Sequence, residues 1–219
     1  MANPLAFLLY LTIASFSHHL LSTNAKTVTR YIDDTSGDSV TGLKPEYYPL
    51  DGNVWQDQTC RLVGGCKIVP DPQLAHNRTY HAATYRPDKM SNMGFILRFN
   101  GTNWNQRWIH IQIFPVWLVA VGLLGESLLG TGVAVYFILS PGADILNDSE
   151  VITNTECEFK MDGVSMKNYT YNPLPQHEME YNVEAYKVEG LDNRLHVLQV
   201  QTGKKERQVF MAFDYATYT

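Results

Sequence analysis

Short runs in which apolar and polar residues alternate are the feature that most constrains the fold of this chain. In four runs the apolar side chains occupy every second position: Phe95, Leu97 and Phe99; Val133, Val135, Phe137 and Leu139; Tyr181, Val183 and Ala185; Val209, Met211, Phe213 and Tyr215. Successive side chains of a β-strand point to opposite faces, so this period predicts half-buried strands. Turn-forming residues separate the runs, which predicts an all-β, antiparallel β-sandwich of the jelly-roll type.

The size and charge of the chain fit one domain and argue against nucleic-acid binding. Its 219 residues are 45% hydrophobic and 18% charged, which is enough to bury a core. The formal net charge is −5, and basic residues cluster only at Lys204–Arg207. A nucleic-acid partner requires a basic surface that neutralises phosphates, so we expect no such partner.

The N-terminus has the composition of a secretion signal. Met1–Ala25 contains no Lys, Arg, Asp or Glu, Leu5–Phe16 is apolar, and Thr23–Ala25 offers small residues for cleavage. A membrane anchor is the alternative, although the apolar run is short for a span. We therefore predict a signal peptide at residues 1–25 and a mature domain at residues 26–219, outside the cell or on its surface.

Sequons and cysteines fit an oxidising, glycosylating compartment. Four Asn-x-Ser/Thr sequons predict N-glycosylation, at Asn77, Asn100, Asn147 and Asn168. Cys60 and Cys66 flank a Gly-Gly turn, which predicts a small disulfide loop. Cys157 alternates with Phe159 and Met161, so we expect a buried, inert thiol there instead of a nucleophile.

Two segments depart from the strand pattern. Lys44–Asp88 is rich in Pro, Gly, Asp and Tyr, and we predict ordered loops held by the disulfide. Residues 103–131 contain three of the four Trp residues, and Glu126 is the sole charge between Ile111 and Leu139. They could be a transmembrane helix, but Pro115 and three glycines make a poor one. We interpret them as an apolar insertion, or as translated intron sequence, whose removal would join its flanks into one strand.

Several motifs outside that insertion resemble a known group of proteins. They are Tyr31–Gly42, Trp55, the Cys60/Cys66 pair, Pro70–Pro72, Thr79–His81 and Phe213–Thr219. Together they resemble an uncharacterised family of secreted or single-pass proteins of mushroom-forming fungi. The flanks Phe99–Thr102 and Gly130–Phe137 are similar to a strand of galactose-binding-like jelly rolls, which implies that fold. Many members of the family continue into a linker and a membrane span, so the ectodomain of an anchored protein is an alternative to a fully secreted one.

Acidic residues cluster in the turn that holds Asp33, Asp34 and Asp38. Three interpretations are open: a hydrogen-bonded turn, a structural Ca²⁺ site, or carboxylates for catalysis. The spacing does not match an EF-hand loop, and no other cofactor is expected.

We expect a non-catalytic module whose partner is a glycan or another extracellular ligand. Carbohydrate sites combine flat aromatic faces with a few polar groups. The candidate residues lie in the segment Lys44–Asp88: Tyr47, Tyr48, Trp55, His76, His81, Tyr85 and Arg86. The alternative is that Trp55 and the tyrosines form a minor core at the end of the sandwich. A hydrolase acting on polysaccharide is the second functional hypothesis, although no Gly-x-Ser-x-Gly motif occurs.

Overall fold

The computed structural model describes residues 28–50, 54–63, 66–101, 131–203 and 207–219. In these ranges twelve β-strands form two antiparallel sheets that pack on a shared core. The predicted all-β, antiparallel sandwich is therefore confirmed. The predicted signal peptide and nearly all of residues 103–131 lie outside the described residues. Within those ranges, no helix is long and apolar enough to cross a bilayer.

The two sheets contain seven and five strands, and we call them sheet A and sheet B. Sheet A contains β1 (Arg30–Asp33), β2 (Gly37–Asp38), β4 (Gln56–Asp57), β5 (His81–Tyr85), β7 (Thr131–Leu139), β10 (Glu180–Leu191) and β12 (Val209–Tyr218). Sheet B contains β3 (Glu46–Tyr48), β6 (Asn92–Asn100), β8 (Thr155–Met161), β9 (Val164–Tyr171) and β11 (Leu195–Gly203). Three short helices lie in the connections: α1 (Cys60–Val63), a 3₁₀-helix (His76–Arg78) and α2 (Ala143–Leu146).

Strand order fixes which residues are neighbours. In sheet A the order is β10-β7-β12-β1-β2, and β12 also pairs with β5, which pairs with β4. In sheet B the order is β3-β6-β11-β8-β9. The strand β12 therefore has β7 along one side, and β5 followed by β1 along the other.

The core lies between the sheets and contains the side chains that alternation assigns to it, except Tyr181 and Tyr215. Tyr181 packs against a second cluster of buried residues instead, because a register shift between Glu180 and Val183 separates it from Val183. The predicted apolar positions of β6 and β7 are buried. Phe95 of sheet B stacks on Phe213 of sheet A with ring centroids 4.3 Å apart. Each large side chain buried in this way contributes about 1.5–3 kcal/mol, so the two inner faces hold the sheets together. Cys157 is buried among them as predicted, and burial raises the pKa of its thiol.

The alternation of β12 changes parity at one residue. Phe213 pairs with Phe137 of β7, and Tyr215 pairs with the next residue of β7, Tyr136. Asp214 is therefore the extra residue of a β-bulge. The prediction that Tyr215 faces the core together with Phe213 is wrong, because the bulge turns Tyr215 to the outer face of sheet A. The buried residues that follow the bulge have the opposite parity, and they are Ala216 and Tyr218.

The segment Lys44–Asp88 is more regular than predicted, because it contains β3, β4 and β5. The predicted Cys60–Cys66 disulfide is present, with Cα atoms 5.9 Å apart. The later part of the segment lies on the outer face of sheet A and forms a second, smaller core there. Its buried members are Ile68, Ala75, Tyr80, Ile138, Phe210 and Ala212. This packing holds the 3₁₀-helix against the sheet.

The flanks of the predicted insertion belong to different sheets. The strand β6 ends at Asn100 in sheet B, and β7 begins at Thr131 in sheet A. They are thus two strands, not the two halves of one strand that we predicted, and Thr131 belongs to β7. The two ends still meet, since a Cβ atom placed on Gly101 would lie 2.6 Å from Thr131 Oγ1.

Candidate functional site

Four aromatic side chains form a row on the outer face of sheet A: Tyr31, His76, Tyr215 and Tyr136. The imidazole of His76 stacks on Tyr31 and on Tyr215, with ring centroids 5.2 and 4.3 Å apart. Tyr215 stacks on Tyr136 at 4.5 Å. We call these four residues the aromatic row. Tyr31 lies at one end of the row and is 42% exposed, so part of its ring is open to a ligand.

The strand pairings of sheet A explain how the row forms. Tyr136 and Tyr215 are directly opposite each other on β7 and β12, on the outer face. Tyr31 comes from β1, where it pairs with Thr217 of β12. His76 comes from the 3₁₀-helix and fills the space between the tyrosines. The row therefore depends on the bulge in β12. Without the bulge, Tyr215 would lie on the same face as Phe213 and point into the core.

Polar side chains lie beside the row on the same face. Thr217 is the partner of Tyr31, and Glu184 of β10 is the partner of Tyr136. Lys187 of β10 lies near them. Its pKa is raised mainly by a hydrogen bond and ion pair with Glu189, and Glu184 and Tyr136 add to the shift. Tyr31 is exposed and the other three rings are half-buried, so the row is a partly exposed apolar surface with hydrogen-bonding groups at its border.

Three buried aspartates lie at the point where β12 changes its neighbour. The pairing with β5 ends at Phe213, opposite His81, and the pairing with β1 begins at Tyr215, opposite Asp33. The aspartates gathered at this break are 0–3% exposed, and we call them the acidic cluster: Asp33, Asp34 and Asp214. Their carboxyl groups accept hydrogen bonds from the loops that meet there and so connect these loops.

Asp33 accepts hydrogen bonds from its own turn and from the 3₁₀-helix. Its Oδ1 accepts from the amides of Thr35 and Ser36 at 3.1 and 2.7 Å, and its Oδ2 accepts from Asn77 Nδ2 at 3.0 Å. Burial raises the pKa of Asp33, but these hydrogen bonds outweigh it and the pKa is lowered. Asp33 is therefore an ionised carboxylate that fixes two loops.

Asp34 joins three further segments. Its Oδ1 accepts from Thr79 Oγ1 at 2.6 Å, and its Oδ2 lies 2.6 Å from His81 Nδ1. Its carbonyl accepts a hydrogen bond from the hydroxyl of Tyr47 in sheet B, at 2.9 Å. The side chain of His81 is 21% exposed, whereas that of Asp34 is fully buried. The pair therefore connects the two sheets at one end of the sandwich.

Asp214 has one satisfied oxygen and one unsatisfied oxygen. Its Oδ1 accepts a hydrogen bond from the backbone N–H of His76 at 2.9 Å. Its Oδ2 is buried and accepts no hydrogen bond from the residues that the structure describes. Burial, together with the charges of Asp34 and Asp33, raises the pKa of Asp214 from 3.8 to about 7, although the His76 hydrogen bond opposes the shift.

Asp38 does not belong to the acidic cluster. Its carboxylate accepts hydrogen bonds from the Val40 amide, Thr41 Oγ1 and Tyr218 Oη, at 2.9, 2.7 and 2.8 Å. Across the described ranges, no group of three His, Cys, Asp or Glu side chains is arranged to hold a metal ion. The bonds formed by the three turn aspartates are those of a hydrogen-bonded turn, and we assign them that role.

Most of the predicted binding residues pack inside the sandwich. Tyr47 stacks on His81 at 4.5 Å and contacts Trp55 at 4.8 Å. Trp55 also packs against Phe95, and its Nε1 donates a hydrogen bond to the carbonyl of Tyr48 at 3.0 Å. These contacts correspond to the alternative interpretation, a minor core at the end of the sandwich.

The other predicted residues are scattered. The hydroxyl of Tyr48 donates to the Val200 carbonyl at 3.2 Å, and Tyr85 is buried in the main core. Arg86 is exposed just after β5, away from the aromatic row. His76 alone among the seven candidates is part of the row. The three tyrosines of the row were missed, because their assembly depends on strand register and on the bulge. The four sequon asparagines are exposed.

Comparison with known proteins adds little to this geometry. No family model matches the chain, and no curated protein matches it. Among solved structures, the chain is similar to one described as the crystal structure of the Agl-KA catalytic domain, with 11% identity and a TM-score of 0.41. The match covers 90% of this chain and 29% of that chain. Nothing about family or activity follows from a likeness at this level.

Proposed function

We propose that this protein is a secreted or cell-surface, non-catalytic module that binds carbohydrate at the aromatic row. The observation that carries the proposal is the partly exposed row, with the ring of Tyr31 open to solvent at one end. Aromatic surfaces contact the apolar faces of sugar rings, and hydroxyl and charged groups at the border hydrogen-bond to the sugar hydroxyls. Thr217, Glu184 and Lys187 occupy that border. The disulfide supports an extracellular location.

A polysaccharide hydrolase is supported less well by the same region. Glycosidases place two carboxyl groups across the scissile bond, in a cleft that the substrate enters. Asp33, Asp34 and Asp214 are buried, and Asp33 and Asp34 are fully engaged with protein donors. Their arrangement fits the support of a binding surface. Membership of the fungal family stays a prediction, and the ectodomain of a membrane-anchored protein stays an alternative.

The test compares binding of the purified protein to an array of neutral, amino and acidic oligosaccharides. We expect Tyr31→Ala to weaken binding at least about tenfold, which is about 1.4 kcal/mol, because it removes the exposed ring of the row. The matched control is Tyr171→Ala, which removes a half-buried tyrosine of sheet B. Equal binding by Tyr31→Ala and the unmodified protein would remove the row from the site, and no binding to any sugar would remove carbohydrate as the ligand class.

A further inference from the structure

Asp214 connects the aromatic row to the acidic cluster. Its Oδ1 accepts a hydrogen bond from the backbone N–H of His76, whose ring belongs to the row. Tyr215, the next residue in the chain, provides a second ring of the row. Its backbone carbonyl accepts the N–H of Asp34 at 3.2 Å. A change in the charge of this carboxyl group therefore affects the row through the hydrogen bond to His76 and through the neighbouring residue Tyr215.

The surroundings of Asp214 suit a neutral carboxyl group better than a carboxylate. Asp33 and Asp34 face it from β1 and the following turn, His76 from the 3₁₀-helix, and Tyr181 from β10. Tyr181 cannot compensate a negative charge, because a phenol is neutral or anionic. Burial, with contributions from the charges of Asp71 and Asp214, raises its pKa and keeps it neutral.

The imidazole of His81 is already engaged. Its Nδ1 is hydrogen-bonded to Asp34 Oδ2 and is therefore not available to Asp214. An ionised Asp214 would be a third carboxylate in a buried site, with an oxygen that lacks a donor among the described residues.

We propose that Asp214 is a proton-controlled latch for the aromatic row, closed when its carboxyl group is protonated and loosened when it releases that proton to solvent. In the closed state the carboxyl group holds His76 between Tyr31 and Tyr215. Ionisation strengthens the hydrogen bond that Oδ1 accepts from His76, but it leaves a buried negative charge whose Oδ2 has no donor among the described residues, and the second effect is the larger. Water that reaches Oδ2 displaces the 3₁₀-helix from the sheet and disturbs the stacking. That the latch controls ligand binding rests on the proposed function, whereas the movement of the row does not.

The first experiment observes the latch without a ligand. In protein labelled with ¹³C-aspartate, the Asp214 carboxyl resonance is assigned by its loss in Asp214→Asn and followed from acid to alkaline pH. We expect a midpoint near 7. Over the same range, protection of the His76 amide from hydrogen exchange, corrected for the intrinsic effect of pH, should fall in the unmodified protein and stay constant in Asp214→Asn. A midpoint near 4, or equal loss of protection in both proteins, would overturn the proposal.

The second experiment measures binding of an oligosaccharide selected on the array, at about pH 5.5 and pH 8.5. We expect binding to weaken about threefold or more at the higher pH, and to become independent of pH in Asp214→Asn. The control is Asp192→Asn, because the side chain of Asp192 is 85% exposed and lies far from the row in the β10–β11 turn. Binding that depends on Tyr31 but not on pH would overturn control of binding by the latch and leave the carbohydrate function intact. Absence of binding, with the carboxyl titration present, would overturn the carbohydrate function alone.

Discussion

Two aspartates of the acidic cluster have pKa shifts of opposite sign, and together they predict a stability maximum at mildly acidic pH. Asp214 has a raised pKa, so its contribution is fully present below the pKa of the unfolded chain and is lost as pH rises through about 7. Asp33 has a lowered pKa, so its contribution is present above the unfolded pKa and is lost as pH falls. The folded state should therefore be most stable between these two transitions.

The measurement is the free energy of unfolding in urea at a series of pH values. At about 1.36 kcal/mol per pKa unit, the shift of Asp214 from 3.8 to about 7 sets an upper limit of about 4 kcal/mol on the stability lost as pH rises between these two values. Asp214→Asn keeps the acceptor for His76 and carries no charge, so it should remove most of that loss. Stability that declines equally in both proteins between about pH 4 and pH 7 would show that another group is responsible.

The sequence identified the chemistry of single residues better than their surroundings. Trp55 and Tyr47 have the side chains of a sugar site, but contacts across the two sheets leave them half-buried against the main core. The aspartates of the turn were recognised as a group, yet their burial follows from loops that arrive from Asn77 and Thr79. Hydrogen-bond partners that lie this far away in the chain leave no pattern in the sequence around the aspartates.

At the scale of elements, periodicity predicted long strands and missed short or irregular ones. The strands β6 and β7 were recognised because each has nine residues, which is long enough for the apolar–polar alternation to repeat several times. The strands β3 and β4 have three and two residues, which is too short for a period to show. The bulge of β12 could not be predicted, because it is defined by pairing with β7 and changes no local composition.

The bulge makes a prediction about two single-residue deletions in β12. Deletion of Asp214 leaves Phe213 followed directly by Tyr215, which already pair with successive residues of β7, so every later side chain keeps its face. Deletion of Ala212 instead reverses the faces of Val209 and Met211, which are buried. We expect the first variant to fold, with a loss of about 1–3 kcal/mol for two hydrogen bonds, and the second to unfold.

Near-UV circular dichroism and cooperative urea unfolding distinguish the two deletion variants. A cooperative transition is expected for the Asp214 deletion alone. If both variants are equally disordered, Asp214 is needed to keep β5 and β1 apart along β12, and the bulge is a spacer for the acidic cluster.

At the scale of the whole molecule, the site is built from segments that are far apart in the chain. The first and last described strands, β1 and β12, are hydrogen-bonded neighbours. Tyr31, His76, Tyr136 and Tyr215 come from four regions of the sequence, which only the closed sandwich brings together. Assembly of the row therefore reports on folding of the whole domain. If only the row is disrupted, the contacts among its four rings are lost while the packing of the main core is kept. Global unfolding of the domain removes both.

The meeting of Gly101 and Thr131 predicts that residues 102–130 can be replaced by a two-residue Gly-Ser linker. The sandwich should survive, because the flanking strands already end next to each other in space. Shortening the connection lowers the entropic cost of closing it, which should stabilise the fold by about 2 kcal/mol. The matched control replaces the β8–β9 hairpin, which contributes Cys157 and Phe159 to the core and should be required for folding. Urea unfolding of both variants is the measurement. A linker variant that fails to fold would show that residues 102–130 belong to the fold, and would exclude their interpretation as an insertion or as translated intron sequence.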